Sequence, residues 1–174
     1  MLNVFAELVI KSGNLKVADV GCGPGHITAL LQELGLEAFG FDISPAMIEH
    51  AKRSHPGLYF NVASMEALPV DDCTLGGIVA HYSMIHTPPK ELPALFNEQA
   101  RALSSGGLLM VSFFATEELD VVPFDHKVTP AYSWPVDELA AIITQAGFQV
   151  FARLTDDPES DRGFLDAHIL ARLR

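Results

Sequence analysis

The sequence has 174 residues, of which 49% are apolar and 19% are charged. This length is typical of one domain, and the apolar fraction argues against intrinsic disorder. Acidic residues outnumber basic ones by 22 to 11, and the formal net charge of −11 disfavours nucleic-acid partners, because phosphate affinity comes mostly from Lys and Arg. No apolar run approaches the length of a membrane span, and the first residues lack the basic region of a signal peptide. We therefore expect one cytoplasmic domain over residues 1–174, without membrane attachment.

The two cysteines, Cys22 and Cys73, belong neither to a CxxC pair nor to a disulfide framework. Isolated cysteines of this kind are typical of small buried side chains in a reducing compartment. We expect no metal site.

Short apolar runs alternate with amphipathic stretches along most of the chain. The runs predicted as buried strands are residues 16–20, 37–41, 58–62, 77–81 and 108–114. The stretches predicted as helices are 3–11, 27–34, 45–55, 89–103 and 136–146. Gly35 ends the second helix, Ser44 and Pro45 start the third, and residues 104–107 separate the fourth from the next strand. This alternation predicts a parallel sheet with helices on both faces.

The end of the chain departs from this alternation. After the last helix come two β-like runs, 148–154 and 164–172, joined by nine polar, turn-rich residues. That connection is too short for the crossover helix that a parallel neighbour needs. We therefore predict a doubly wound α/β fold with a mostly parallel, seven-stranded sheet and an antiparallel last strand.

A glycine-rich turn over residues 21–25 follows the first strand and leads into a helix. Glycines at such a turn let the backbone approach a ligand closely. His26 occupies the position of the third glycine in a dinucleotide-binding motif, which disfavours a nicotinamide cofactor. Asp19 precedes the first glycine, where a carboxylate would repel a pyrophosphate but would suit a cationic or zwitterionic ligand.

Asp42 ends the second strand, 17 positions after Gly25. A carboxylate there can accept hydrogen bonds from both ribose hydroxyls. The alternative is that Asp42 only caps the next helix, although Ser44 already supplies that cap. Together with the glycine turn, Asp42 predicts a nucleoside site.

Four segments carry a family resemblance: residues 19–25 (DVGCGPG), 41–47 (FDISPAM), 64–69 (SMEALP) and 101–108 (RALSSGGL). Together they resemble the class I S-adenosylmethionine-dependent methyltransferases, of the small-molecule kind that includes the ubiquinone/menaquinone methyltransferases. The resemblance extends from about Val17 to Phe148. It implies a Rossmann-like fold, S-adenosyl-L-methionine as cofactor and S-adenosyl-L-homocysteine as product.

The resemblance also implies roles for matching positions. The methionine end would lie against Asp19 and the glycine turn, and the ribose would lie against Asp42. The adenine would lie between Ile43 and Met65. For Ile43 and Met65, plain core packing is the alternative. The implied cofactor-binding residues are Asp19, Gly21, Cys22, Gly23, Gly25, His26, Asp42, Ile43, Ser64, Met65, Glu66, His81 and Tyr82. Relatives commonly have Asp where this chain has Ser64, so the contact with the adenine amino group would lack charge assistance.

Histidines follow the fourth strand, at the sheet edge where ligands bind in such folds. His86 is the first candidate for a base or an acceptor-orienting group, and a solvent-exposed histidine at a helix start is the alternative. His81 is the second catalytic candidate, although we expect it to contact the cofactor rather than the acceptor. Outside the glycine turn, His50, His55 and His168 are expected at the surface.

The long stretch 115–135 is predicted to be an irregular, lid-like loop, because loops of this length usually bind ligands. Its His126, Lys127, Tyr132 and Trp134 would line the acceptor pocket, with Lys127 paired to a carboxylate or phosphate. Packing of Tyr132 and Trp134 under the next helix is the alternative.

Only 18 residues precede Asp19, so a single short helix is expected there. The acceptor pocket would then be open, closed by the 115–135 loop, or completed by a second subunit in a homodimer. The expected function is methyl transfer to a small-molecule acceptor by in-line displacement. A protein that binds the cofactor without catalysis is the alternative, and a nicotinamide-dependent oxidoreductase is the third hypothesis.

Overall fold

The computed structural model describes residues 1–126, 129–155 and 165–174. Within them, seven strands form one sheet: β1 (Lys16–Val20), β2 (Glu37–Asp42), β3 (Tyr59–Val62), β4 (Leu75–His81), β5 (Leu103–Ala115), β8 (Phe148–Thr155) and β9 (Leu165–Leu173). The strands β6 (Val122–Asp125) and β7 (Pro130–Ser133) pair with each other. The α-helices are α1 (Leu2–Ser12), α2 (His26–Glu33), α3 (Pro45–Ser54), α4 (Leu92–Ala102) and α5 (Val136–Gln145). None of the helices in these ranges is both long and apolar enough to cross a membrane.

The strands follow the order β3-β2-β1-β4-β5-β9-β8 across the sheet. Neighbours among β1 to β5 pair in parallel, whereas β9 is antiparallel to both β5 and β8. The predicted mostly parallel sheet with an antiparallel last strand is therefore confirmed. The strand order reverses between β1 and β4, and ligands of such sheets bind in the crevice that this reversal opens at the carboxyl ends of the strands.

Helices cover both faces of the sheet. Successive residues of a strand point to opposite faces, so each central strand contacts helices on both sides. Val79 of β4 lies in one core cluster with Phe5 of α1 and Leu31 of α2. Its neighbour Ile78 lies in another cluster, which includes Leu95 of α4 and the buried face of α5. The central strands are therefore apolar on both sides, as buried parallel strands are.

The predicted helix 89–103 and the break after it differ from the structure. A 3-10 turn over Pro89–Glu91 precedes α4, and Leu103 already pairs with Leu75 of β4. The segment 104–107 therefore lies inside β5, where the register with β4 shifts. Its glycines accommodate a bulge in the strand rather than a turn between elements.

The predicted irregular structure of 115–135 is wrong, because the segment contains the β6–β7 hairpin. The prolines at positions 123 and 130 disfavour a prediction of strands in this segment. Both strands of a two-stranded hairpin are edge strands, however, and edge strands tolerate proline. The Trp134 N–H donates to the Phe114 carbonyl at 2.9 Å, and the Thr116 N–H donates to the Trp134 carbonyl at 3.1 Å. The hairpin is thereby attached to the carboxyl end of β5.

Candidate active site

The glycine turn joins β1 to α2 in a left-handed backbone conformation. Gly21, Gly23 and Gly25 have φ angles of 72°, 50° and 87°, which residues with side chains rarely adopt. The Gly21 N–H donates to the Phe41 carbonyl at 2.7 Å, which holds the turn against β2. A Cβ on Gly21 would lie 2.2 Å from the Ser83 Cβ, so the segment after β4 approaches this closely only because residue 21 is glycine.

Asp42 is held at the end of β2 by two backbone donors. The Gly23 N–H donates to its Oδ2 and the Ser44 N–H to its Oδ1, each at 2.8 Å. Because each carboxylate oxygen has two lone pairs, both oxygens can also accept from ligand hydroxyls. The Ser44 Oγ caps α3 by accepting from the Met47 N–H at 3.4 Å. Asp42 therefore has a fixed orientation at the end of β2 and is not needed as the side-chain cap.

Two adjoining cavities open at the carboxyl ends of β1 to β4. The larger, of about 560 Å³, is lined by nine of the predicted site residues, Gly21, Gly23, Asp42, Ile43, Ser64, Met65, Glu66, Tyr82 and His86. The smaller, of about 200 Å³, shares Gly21 and Gly23 and adds Asp19, Cys22, His26 and His81. Gly25 lies instead against Phe60, where a Cβ would meet the ring at 2.7 Å. The fold thus brings most of the predicted cofactor-binding residues into one crevice, with Gly25 in a supporting position.

Asp19 is buried at the smaller cavity, with 1% of its surface exposed. The Thr28 hydroxyl donates to its Oδ2 at 2.6 Å. Burial raises the pKa of Asp19 to about 7 although the Thr28 hydrogen bonds lower it, and the charge of Asp42 adds to the rise. The carboxyl group therefore ionises near neutral pH, and an approaching cation would favour its charged form.

Cys22 lines the smaller cavity with a thiol that favours its protonated form. Burial raises the pKa of its thiol above the ordinary range, and the charges of Asp19 and Asp42 raise it further. Because the thiolate is the reactive form, the protonated thiol serves as a small apolar wall of the cavity.

The residues expected around the adenine differ in exposure. Ile43 is 73% exposed, which excludes core packing as its role in this structure. Met65 is half-buried and packs against the main core while lining the larger cavity. The Ser64 Oγ accepts from the Glu66 N–H at 3.2 Å, which shapes the turn that carries these side chains.

Residues 64–70 are held in place by an ion pair whose anchoring role the sequence did not indicate. Arg101 donates to the carbonyls of Leu68 and Val70 at 3.2 and 3.0 Å, and Glu98 accepts from the Leu68 N–H at 2.7 Å. The hydrogen bonds from Arg101 hold the pKa of Glu98 below its usual value. The pair therefore stays charged at neutral pH and ties one wall of the larger cavity to α4.

His86 lies in a 3-10 turn after β4 and borders the larger cavity. Its Nδ1 is 3.1 Å from the carbonyl oxygen of Pro130 in β7. Because a carbonyl only accepts, Nδ1 carries the hydrogen, and Nε2 of the neutral ring carries a lone pair. The His126 ring stands edge-on at a centroid distance of 5.2 Å, so two predicted site histidines meet at the hairpin.

A row of polar side chains crosses β4, β5 and β9 beside the smaller cavity. The Oγ of the fully buried Ser112 lies 2.8 Å from His81 Nδ1 and 2.9 Å from His168 Nδ1. Next to the row, the Tyr82 hydroxyl donates to Asp166 Oδ1 at 2.6 Å. Burial is the main cause that lowers the pKa of His81, which favours its neutral ring. The predicted surface position of His168 is wrong, because the antiparallel register places it opposite Ser112.

His55 was also expected at the surface and is half-buried. Its ring centroid lies 5.7 Å from that of His26 and 6.4 Å from that of Phe60. The end of α3 packs back on the glycine turn, which a reading of α3 alone could not reveal. His50 is exposed, as expected.

The structure separates the residues that were predicted to line an acceptor pocket from 115–135. Trp134 is fully buried in a core cluster with α5, which corresponds to the packing alternative and leaves it no surface for an acceptor. Tyr132 is half-buried against the same cluster, whereas His126 lies beside His86. Lys127 lies outside the described residues.

Comparisons with known proteins bear on both the fold and the site. A trans-aconitate 2-methyltransferase of Methylobacterium nodulans is 37% identical over 101 residues, which are 55% of this chain and 37% of that protein. A ubiquinone/menaquinone biosynthesis C-methyltransferase of Campylobacter jejuni is 30% identical over 112 residues, which are 60% of this chain and 47% of that protein. The chain therefore spans less than half the length of these two relatives.

The similarity to solved structures extends over nearly the whole chain. The crystal structure of an S-adenosylmethionine-dependent methyltransferase from Methanosarcina mazei superposes with a TM-score of 0.79 at 22% identity, covering 94% of this chain and 96% of that one. At this identity the likeness concerns the fold, and it confirms the predicted Rossmann-like architecture.

Residues 17–107, more than half of the chain, match the sequence profile of a family described as methyltransferase domain. Nearly all the residues that line the two cavities lie within this segment, so the match covers the crevice as well as the sheet. The chain belongs to the methyltransferase domain family.

Proposed function

We propose that this chain binds S-adenosyl-L-methionine in the two adjoining cavities and transfers its methyl group to a small-molecule acceptor. The observation that carries the proposal is Asp42, a carboxylate oriented by two backbone donors beside a glycine turn in a cavity of nucleoside size. Membership of the methyltransferase domain family supports the choice of cofactor.

The residues that line the two cavities fit this cofactor in chemistry. Asp42 offers acceptors for ribose hydroxyls, and Asp19 offers a carboxyl group whose ionisation a positively charged amino group would favour. Ile43 and Met65 offer apolar surface for a flat base. When bound, the cofactor supplies an electrophilic methyl group on a sulfonium.

Among the described residues that line the larger cavity, His86 is the group we assign to take a proton from an acceptor. Its Nε2 carries the lone pair, and the Pro130 carbonyl stabilises the charged ring by accepting from Nδ1–H. An acceptor hydroxyl or amine that becomes methylated must release one proton, and His86 would receive it. Alignment and exclusion of water supply the rest of the rate enhancement.

The hairpin supports an acceptor position near His86. Thr129, which directly precedes β7, and His86 line the same cavity. The β6–β7 segment thereby borders the proposed acceptor side, and we propose that it acts as the cover of this site.

Removing the Asp42 carboxylate tests the cofactor site. We expect Asp42→Ala to weaken S-adenosylhomocysteine binding in calorimetry at least about 100-fold, because hydrogen bonds to a charged acceptor contribute about 1.5–3 kcal/mol each. Glu37→Ala, at the opposite end of the same strand, is the matched control and should bind like the unchanged protein. Unaltered affinity in Asp42→Ala would contradict the proposed ribose contact.

Methyl transfer itself requires a product measurement. Incubation with S-adenosylmethionine carrying a labelled methyl group and a panel of small hydroxyl, amine, thiol and carboxylate compounds should give a labelled product. Cofactor binding without any product across the panel would favour the non-catalytic alternative.

Two substitutions of His86 separate a base from an anchor. His86→Ala removes both functions, whereas His86→Asn keeps an N–H donor for Pro130 and lacks the Nε2 lone pair. We expect both variants to lose about 100-fold or more in kcat with the acceptor found in the panel, while S-adenosylhomocysteine affinity stays unchanged. Retained turnover in His86→Asn would mean that His86 only anchors the hairpin.

A further inference from the structure

The polar row of His81, Ser112 and His168, here called the Ser112 row, has no role in the mechanism above. Each member pairs with the next across neighbouring strands, His81 with Ser112 and Ser112 with His168. The Ser112 Oγ lies 2.8 and 2.9 Å from the two Nδ1 atoms, and Ser112 has no exposed surface. The serine hydroxyl is therefore satisfied by the two rings and not by solvent.

The single hydroxyl hydrogen gives the Ser112 row a direction. Ser112 donates to one imidazole and accepts from the other, so one Nδ1 lacks a hydrogen while the other carries one. If Ser112 donates to His81, the His81 Nε2 carries a hydrogen and is a donor. His168 Nδ1 then donates to the Ser112 Oγ.

The surroundings of His81 indicate what this donor would meet. His81 lines the smaller cavity together with Asp19 and the glycine turn. Among the described residues that line this cavity, His26 and His81 are the side chains that can donate a strong hydrogen bond. A zwitterionic ligand end fits such a cavity when Asp19 faces its cation and a histidine N–H faces its carboxylate.

We propose that Ser112 and His168 are positioning residues that fix His81 as a hydrogen-bond donor toward the carboxylate of the cofactor's methionine moiety. The inference rests on the proposed function, since it requires that the two cavities hold this cofactor. A lone imidazole has a free ring torsion, and the hydrogen bond with Ser112 restricts it before binding. With Ser112 donating to His81 Nδ1, the His81 tautomer that donates from Nε2 is favoured.

Two ligands that differ only at the amino-acid end separate this role from a structural one. S-adenosylhomocysteine carries the amino-acid carboxylate, whereas 5′-methylthioadenosine keeps the adenosine and thioether and lacks the amino-acid end. Calorimetry with Ser112→Ala and His168→Phe should show S-adenosylhomocysteine bound about 10-fold more weakly and 5′-methylthioadenosine bound as in the unchanged protein.

Matched variants sharpen the measurement. His168→Asn places an amide N–H where Nδ1–H was and should recover most of the S-adenosylhomocysteine affinity. His50→Phe, an exposed position on α3, is the control for a histidine replacement outside the site and should change neither affinity. Thermal unfolding of each variant checks that it is folded. If Ser112→Ala does not fold, the comparison of His168→Phe with His168→Asn is sufficient to test the proposal.

The possible results all bear on the inference. Equal weakening of both ligands would make the Ser112 row a structural element and overturn the proposal. Unchanged binding of both ligands would overturn it as well. The same holds if turnover falls while the affinities for both ligands stay unchanged. Failure of the unchanged protein to bind either ligand would instead refute the proposed function.

Discussion

The Gly21→Ala variant is expected to lose about 2–5 kcal/mol of unfolding free energy, and it is also expected to lose measurable binding of S-adenosylhomocysteine. The added Cβ would lie 2.2 Å from the Ser83 Cβ and 3.3 Å from the Met65 Cε, at a φ of 72°. Overpacking typically costs about 1–3 kcal/mol, and a left-handed alanine costs about 1–2 kcal/mol. Chemical denaturation measures the first loss and calorimetry the second.

Gly13→Ala is the matched control for this substitution. Gly13 ends α1 with a φ of 89°, and no atom lies within 4 Å of a Cβ built on it. The variant should lose only about 1–2 kcal/mol, for the backbone conformation, and should bind S-adenosylhomocysteine normally. Similar losses in the two variants would show that the close approach of Ser83 is not what makes glycine necessary at position 21.

The Asp19→Asn variant is expected to be more stable than the unchanged protein at pH 8 but not at pH 4. Burial raises the pKa of Asp19 from 3.8 to about 7 in the folded state. Between these values the unfolded chain releases a proton that the folded chain retains, so the unfolding free energy falls as pH rises and stays lowered above pH 7. Asparagine does not titrate, and it can still accept from Thr28. The gain at pH 8 should be about 2–4 kcal/mol.

Comparison of the two proteins across the pH range isolates this carboxyl group from the other acids. Asp71→Asn, at an exposed position, is the control for the same replacement outside the site and should change the unfolding free energy little. The stabilised Asp19→Asn protein should nevertheless bind S-adenosylhomocysteine at least about 10-fold more weakly, because the neutral amide loses the attraction to the amino group. A stability difference independent of pH would contradict the raised pKa of Asp19.

The strongest sequence predictions concern features encoded in adjacent residues. The glycine turn and the Ser44 cap depend on local backbone conformation, so the required residue types identify them without the fold. The antiparallel last strand was predictable because a short polar connection cannot hold a crossover helix. Predictions were poorer where pairing overrides local preference, as in the bulged segment 104–107 and the proline-containing hairpin.

The net charge of −11 and the carboxylates Asp19 and Asp42 were read from the sequence alone, together with the family resemblance and the succession of strands and helices. Only the tertiary structure brought the members of the Ser112 row together. Ser112 lies 31 residues after His81 in the sequence, and His168 lies 56 residues after Ser112. The fold also buried Trp134 in the core and placed the Pro130 carbonyl on His86. The physical reason is register: a one-residue shift of β9 would turn His168 to the other face, and no pattern within β9 itself specifies its partner across β5.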